Sequence, residues 1–157
     1  MATVSFSIPI LSIPLYYVLA VFPHGYAITK ASRGDLKKHD NRNPKGSAQL
    51  ENIKKRLSPK EFAAFERGES CHRNHLENMP LYVATVFAGI LAESRVGEGE
   101  LGLINFVVGW MAIRTLYTVN YLATEQSQGW TQVRSLLYFL GTGWSFLILW
   151  RSAFALA

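Results

Sequence analysis

Polar and apolar residues are segregated along this chain rather than interleaved. Residues 1–29 contain no Asp, Glu, Lys or Arg, and residues 30–73 then hold 12 of the 16 Lys and Arg with six of the 11 acidic residues. Beyond residue 73 the sequence is apolar again, with isolated charges. A helix needs about 20 mostly apolar residues to cross a hydrocarbon core of roughly 30 Å. Four stretches satisfy this, and they predict transmembrane helices over residues 6–28, 74–95, 101–124 and 133–155. Pro9 and Pro14 predict an irregular entry to the first. Soluble amphipathic helices show a polar stripe every three to four residues. The runs 106–113 and 146–150 show none, which argues against a water-soluble bundle.

The polar stretch 30–73 reads as a basic loop between the first two spans. Asn41 to Gly46 predicts a turn. Ser58-Pro59-Lys60-Glu61 predicts a helix start, with Ser58 as N-cap, Pro59 at the first helical position and Glu61 as capping-box partner. That helix can run on through Phe62, Phe65 and Glu66 into the second span. No internal repeat or low-complexity tract is visible, so residues 1–157 form one domain.

Composition changes this picture only in detail. The chain has 157 residues and a formal net charge of +5. A basic balance suggests nucleic acid or an anionic membrane surface. Here the basic residues sit together between hydrophobic segments, so a juxtamembrane position is expected and nucleic acid is not. Cytoplasmic loops carry the excess of Lys and Arg. The 30–73 stretch is therefore expected on the cytoplasmic side, with both termini opposite. The first span lacks a basic stretch before it and is long for a cleaved signal, so it reads as a retained helix. A single cysteine, Cys71, excludes an intramolecular disulfide.

Ionisable groups inside a membrane helix are expensive and ask for a partner or a purpose. Arg73, Asn74 and Glu77 can share a face of the second span. Arg114, Tyr117 and Tyr121 form one stripe on the third, and Arg134 and Tyr138 are neighbours on the fourth. Lys30 and Arg33 flank the first. Some have plainer readings: snorkelling anchors for Lys30, Arg33 and Arg134, an aromatic belt for Tyr117 and Tyr138, a structural ion pair for Arg73 with Glu77. Arg114 lies deepest and is expected to pair with Glu77. His72, His75 and Cys71 lack a third well-placed ligand, so no metal is expected. Together these residues predict a site for a small anionic ligand, beside an apolar partner arriving from the bilayer.

At these residues the sequence resembles the MAPEG family (membrane-associated proteins in eicosanoid and glutathione metabolism). The run Glu66-Arg67 through His72, Asn74 and Glu77 to Pro80 is similar to the family's second-helix signature. Arg114, Tyr117 and Tyr121, then Arg134-Ser135 and Tyr138, are similar to its later one. Ser70 stands where the family usually carries an arginine, and the resemblance assigns compensation to Arg73 or Arg67. It implies an all-α integral membrane four-helix bundle assembling as a homotrimer, in the endoplasmic reticulum or another intracellular membrane. Glutathione would bind between adjacent subunits at the cytoplasmic side.

By the same resemblance, Arg134 and Tyr121 are the catalytic pair, Arg134 stabilising the thiolate and Tyr121 donating a hydrogen bond. Arg73, Asn74 and Tyr117 hold the peptide's ends, and Glu77 takes its amine or Arg114. Arg33, His72, Arg114 and Tyr138 complete the binding set. A lipophilic electrophile would enter from the bilayer, giving a transferase with possible peroxide chemistry. The alternative is a non-catalytic relative that binds lipophilic ligands or partner proteins.

The topology has a direct test. Ala48→Cys and Ala157→Cys, each in a background lacking Cys71, should be labelled by an impermeant thiol reagent from opposite sides of the membrane. Labelling of both from one side sinks the four-crossing arrangement.

Overall fold

The computed structural model describes residues 6–35, 37, 42–44, 46–124 and 127–157. Among these, every regular element is helical: α1 (Ser7–Ser32), α2 (Ser47–Arg56), α3 (Pro59–Val96), α4 (Leu103–Ala123) and α5 (Gln128–Leu156). The all-α class is as expected, but the count is five helices rather than four. Residues 30–73 are not simply a loop, because α2 lies within them and α3 begins at Pro59. Part of the expected 41–46 turn falls outside the described residues. The capping box forms as the motif predicts: Ser58 Oγ accepts from the Glu61 N–H, and the Glu61 carboxylate accepts from the Ser58 N–H. α2 escaped the hydropathy reading because one side of it is polar. It folds by burying Ile53, followed by Leu57, against Ala27, Ala31 and Phe65.

The entry to α1 differs from expectation too. The helix starts at Ser7 and runs through Pro9 and Pro14 without interruption. Pro9 sits in the first turn, where its missing N–H is no loss, and its carbonyl accepts from Ser12 Oγ at 2.6 Å.

Three of the helices, α1, α3 and α5, are long and apolar enough to cross a membrane. α4 has 21 residues, about 31 Å at 1.5 Å per residue, but Asn105, Arg114 and Asn120 interrupt its apolar run. α1 packs along α3, while α4 and α5 pack on each other and on α3. The core is aromatic: Tyr16, Tyr82, Phe106 and Trp110 are buried together, with Tyr82 and Trp110 stacked at 5.0 Å. Gly68 lets the backbones of α1 and α3 pack tightly. A Cβ there would stand 2.9 Å from both the Pro23 carbonyl and the Ala27 methyl.

Polar groups inside the bundle need internal partners, because lipid offers none. His75 is fully buried and serves three helices. Its Nε2 lies 2.9 Å from Thr118 Oγ1 on α4 and its Nδ1 lies 3.3 Å from the Tyr16 hydroxyl on α1. Glu93, 2% exposed, does similar service at the opposite end of α3. Its carboxylate accepts from the backbone N–H groups of Leu101 and Leu103 at 3.2 and 3.1 Å. It thus caps α4, whose own N-cap residue Gly102 has no side chain to do so. Arg151 of α5 completes the clamp by donating to the carbonyls of Glu100 and Leu101. Arg151 is therefore structural, and Arg95 likewise ties the end of α3 to α5 by donating to the Leu156 carbonyl.

Leaving buried N–H groups unsatisfied costs about 1–3 kcal/mol. Glu93→Ala should accordingly lower the thermal midpoint of the detergent-solubilised protein, and Glu93→Gln, which keeps one acceptor oxygen, should lower it less. Equal midpoints for all three proteins would contradict the clamp.

Candidate functional site

Register between α3 and α4 brings half of the expected residues, Asn74, Tyr117, Tyr121, Arg134 and Tyr138, to one cleft, closed on its third side by α5. Tyr117 and Tyr121 lie one turn apart on α4 with ring centroids separated by 5.2 Å. Asn74 reaches across from α3. Its amide donates to the Tyr121 oxygen at 3.1 Å and to the Ser70 carbonyl at 2.9 Å. The Tyr121 oxygen thus accepts from Asn74 at the edge of the cleft. The Arg134 guanidinium of α5 lies 4.4 Å from the centre of the Tyr121 ring, a cation–π distance. Ser135, Tyr138 and Phe139 complete the walls of a cleft of about 250 Å³.

Beneath it lies Arg114, 1% exposed. It is caged by rings, with Trp110, Tyr117 and Tyr138 centred 4.6, 5.4 and 5.7 Å from its guanidinium carbon. Among the described residues, none of its three side-chain nitrogens has a hydrogen-bond partner. The expected ion pair with Glu77 is not formed, which corrects the sequence reading. Glu77 is exposed on another face of α3, because helical spacing alone could not show which way the α3 stripe turns. Aromatic quadrupoles stabilise the charge where a carboxylate was expected.

The remaining expected residues lie elsewhere. His72 and Arg73 line a second, larger cavity of about 590 Å³ between α1, α2 and α3, together with His24, Glu69, Ser70, Leu50 and Ile53 among others. His72 Nδ1 lies 2.8 Å from the Ala20 carbonyl, to which it donates, and its ring stacks on His24 at 5.0 Å. His24 Nδ1 in turn lies 2.6 Å from a Glu69 carboxylate oxygen. Arg33 lines neither cavity. It ends α1 in a left-handed conformation, φ 52°, and donates to Glu61 at 3.0 Å. Hydrogen bonds from the Ser58 backbone N–H, the Ser58 hydroxyl and Arg33 hold the Glu61 carboxyl down at about 2.

The sequence reading missed His24 and Glu69. Nothing in the linear sequence couples positions 45 residues apart, although a lone histidine in a span otherwise free of charge was a usable signal. Among the described residues no group of His, Cys, Asp or Glu is arranged to hold a metal ion.

Long apolar helices enclosing a polar cleft define an α-helical membrane protein. The pattern of one such group, the MAPEG family, matches residues 3–154, nearly the whole chain, and the protein belongs to that family. No curated protein and no solved structure matches it significantly. Membership is consistent with glutathione-transferase or eicosanoid-metabolism roles.

The aromatic cage makes a distinct energetic statement. An uncompensated buried charge is itself destabilising, so removing it in favour of an apolar residue of similar volume costs little. Arg114→Met should therefore retain the apo protein's thermal midpoint, and the Arg114→Met/Glu77→Ala double-mutant cycle should be additive within about 0.5 kcal/mol. A coupling well above that would reinstate the ion pair.

Proposed function

We propose that this protein is a membrane-bound glutathione transferase acting on lipophilic electrophiles, with its thiolate site in the cleft between α3, α4 and α5. The observation that carries this reading is the Asn74–Tyr121–Arg134 arrangement. Asn74 donates to the phenol oxygen at 3.1 Å, and Arg134 places a permanent positive charge over the same ring. A hydroxyl donor and a guanidinium converging on one small space stabilise an anion there.

The donor set suits the ligand. Glutathione supplies the nucleophilic sulfur, whose thiol is of the cysteine type with a pKa near 8.5 in water. A guanidinium beside it favours ionisation. Tyr121 donates to the sulfur, Arg134 holds it charged, and Tyr117, Ser135 and Tyr138 offer hydroxyls to the rest of the peptide. Arg114 adds positive potential from below. Phe139 and the exposed apolar face of α5, including Leu136 and Leu140, give an electrophile a path from the bilayer.

A cleft of about 250 Å³ is smaller than most ligand pockets, which run roughly 300–1,000 Å³. Arg73 and His72, on another side of α3, cannot join it within one protomer. Both facts support a ligand held between adjacent copies, hence a homotrimer of subunits that each cross the membrane four times. The first three helices' basic connections then face the cytoplasm, in an intracellular membrane such as the endoplasmic reticulum. Ser70, which lines the larger cavity in place of the family's arginine, favours a second reading: a relative that binds lipophilic ligands or proteins without turnover.

Measurement of the bound thiol separates them. Arg134→Ala should still bind glutathione while raising the apparent pKa of its thiol by one to two units, each worth about 1.4 kcal/mol. Turnover of a model aryl halide near neutral pH should fall accordingly and recover as pH rises. Arg134→Lys should retain part of the effect, since it keeps charge but loses the planar fork. Wild-type protein that binds glutathione yet shows neither thiolate absorbance nor turnover belongs to the second reading.

A further inference from the structure

Only one face of α1 is used inside the chain. Tyr16, Ala20, Pro23 and Ala27 turn inward and are buried. Another face carries a groove of about 660 Å³, lined by Tyr17, Val18, Val21, Phe22, Gly25 and Tyr26, with Thr29 at one end. Val18 and Phe22 are 66% and 60% exposed, so no other described element covers it. Gly25 makes the notch. A Cβ there would meet nothing within 4 Å, although glycine inside a helix costs stability relative to alanine. Unlike Gly68, it is not required by the packing of any helix in the same chain. The Thr29 hydroxyl donates to the Gly25 carbonyl at 2.9 Å, so the polar group beside the notch is already satisfied and the groove offers apolar surface.

The groove has the depth of one leaflet and a cation at its end. From Tyr17 to Thr29 it runs about 18 Å along the helix at 1.5 Å per residue. Half of a hydrocarbon core of roughly 30 Å is about 15 Å. Just beyond Thr29, the Lys30 ammonium stands 5.2 Å from the centre of the Tyr26 ring, a cation–π distance. Arg33, one turn further, is committed to Glu61 at 3.0 Å. Lys30 pairs with no carboxylate among the described residues. An apolar channel one leaflet deep, closed by an uncommitted ammonium, complements a molecule with a long hydrocarbon chain and an anionic head.

We propose that this face of α1 is a binding site for an anionic phospholipid of the leaflet on the basic side of the molecule. One acyl chain lies along Val18, Phe22 and the Gly25 notch, and the phosphate meets Lys30. The site is separate from the thiolate cleft and does not depend on what that cleft binds. Charge favours lipid over a second copy of the chain as the occupant. Copies in a closed ring stand parallel. A neighbour would therefore bring its own 30–73 stretch, with 12 Lys and Arg against six acidic residues, to the level of Lys30.

The test uses the full-length protein, stripped of lipid in detergent, and two probes with identical dioleoyl chains: phosphatidylglycerol and phosphatidylcholine. Native mass spectrometry counts bound lipid as each is titrated. Wild-type protein should bind phosphatidylglycerol roughly fivefold more tightly, the worth of one lysine beside an anionic head. Lys30→Gln should bring phosphatidylglycerol down to the phosphatidylcholine level and leave phosphatidylcholine unchanged. Gly25→Leu, which fills the notch, should weaken both lipids alike. Its lipid-free thermal midpoint should match wild type, because nothing lies near the added side chain's Cβ. Should that variant not fold, Phe22→Ala strips the groove wall from an exposed position and should weaken both lipids in the same way. Equal wild-type affinity for the two lipids overturns the proposal, as does a phosphatidylglycerol preference that survives Lys30→Gln. Groove variants that bind both lipids like wild type overturn it too. A change in the number of chains per particle in lipid-free Gly25→Leu would mark the face as an interface between copies instead.

Discussion

The bundle turns on His75. A single fully buried imidazole joins α3 to α4 through Thr118 and to α1 through the Tyr16 hydroxyl. In a medium without water these bonds have no competitor, so they define how far α3 can slide or rotate against its neighbours. Asn74 is the adjacent residue, and its reach to Tyr121 depends on the register that His75 sets. Cleft geometry and helix packing are therefore one constraint in this region. The aromatic core of Tyr16, Tyr82 and Trp110 extends it toward the other end of the bundle, where Glu93 and Arg151 tie off the connection between α3 and α4.

Charge is handled unlike in a soluble domain. Arg114 sits in an aromatic cage rather than an ion pair, while Arg151 and Glu93 are spent on backbone groups at a helix junction. The cations that remain near the candidate ligand positions, Arg134 and Arg73, stand on different helices at different cavities. A site assembled from both needs more than one copy of the chain, which is the physical content of the trimer proposed above.

Much of this was legible in the residues. Three long apolar helices, the Ser58 capping box and the shared faces of Tyr117 with Tyr121 and of Arg134 with Tyr138 follow from sequence pattern, because helical periodicity places positions three, four and seven apart on one face. α2 was not visible, since a ten-residue helix with one polar side leaves no mark on hydropathy. The rotation of α3 was not visible either. Arg73, Asn74 and Glu77 are close in sequence, yet the structure directs Asn74 to α4, Arg73 to the cavity beside α1 and Glu77 outward. Periodicity gives which residues share a face and is silent on where that face points. The pairing of His24 with Glu69 needed the tertiary contact of α1 with α3, made possible by Gly68.

The unbroken length of α3 has a consequence for how this chain can change. At 38 residues it measures about 57 Å, nearly twice the roughly 30 Å hydrocarbon thickness, and the cavity residues and the cleft residues share that one rod. Each residue of an α-helix advances the phase by about 100°. One residue inserted between Glu69 and Asn74 would turn one polar set out of register with the other, whereas an insertion of seven or eleven would restore the phase to within about 20°. A change of length that keeps both polar sets in phase is thereby channelled away from α3 and into the connections between helices.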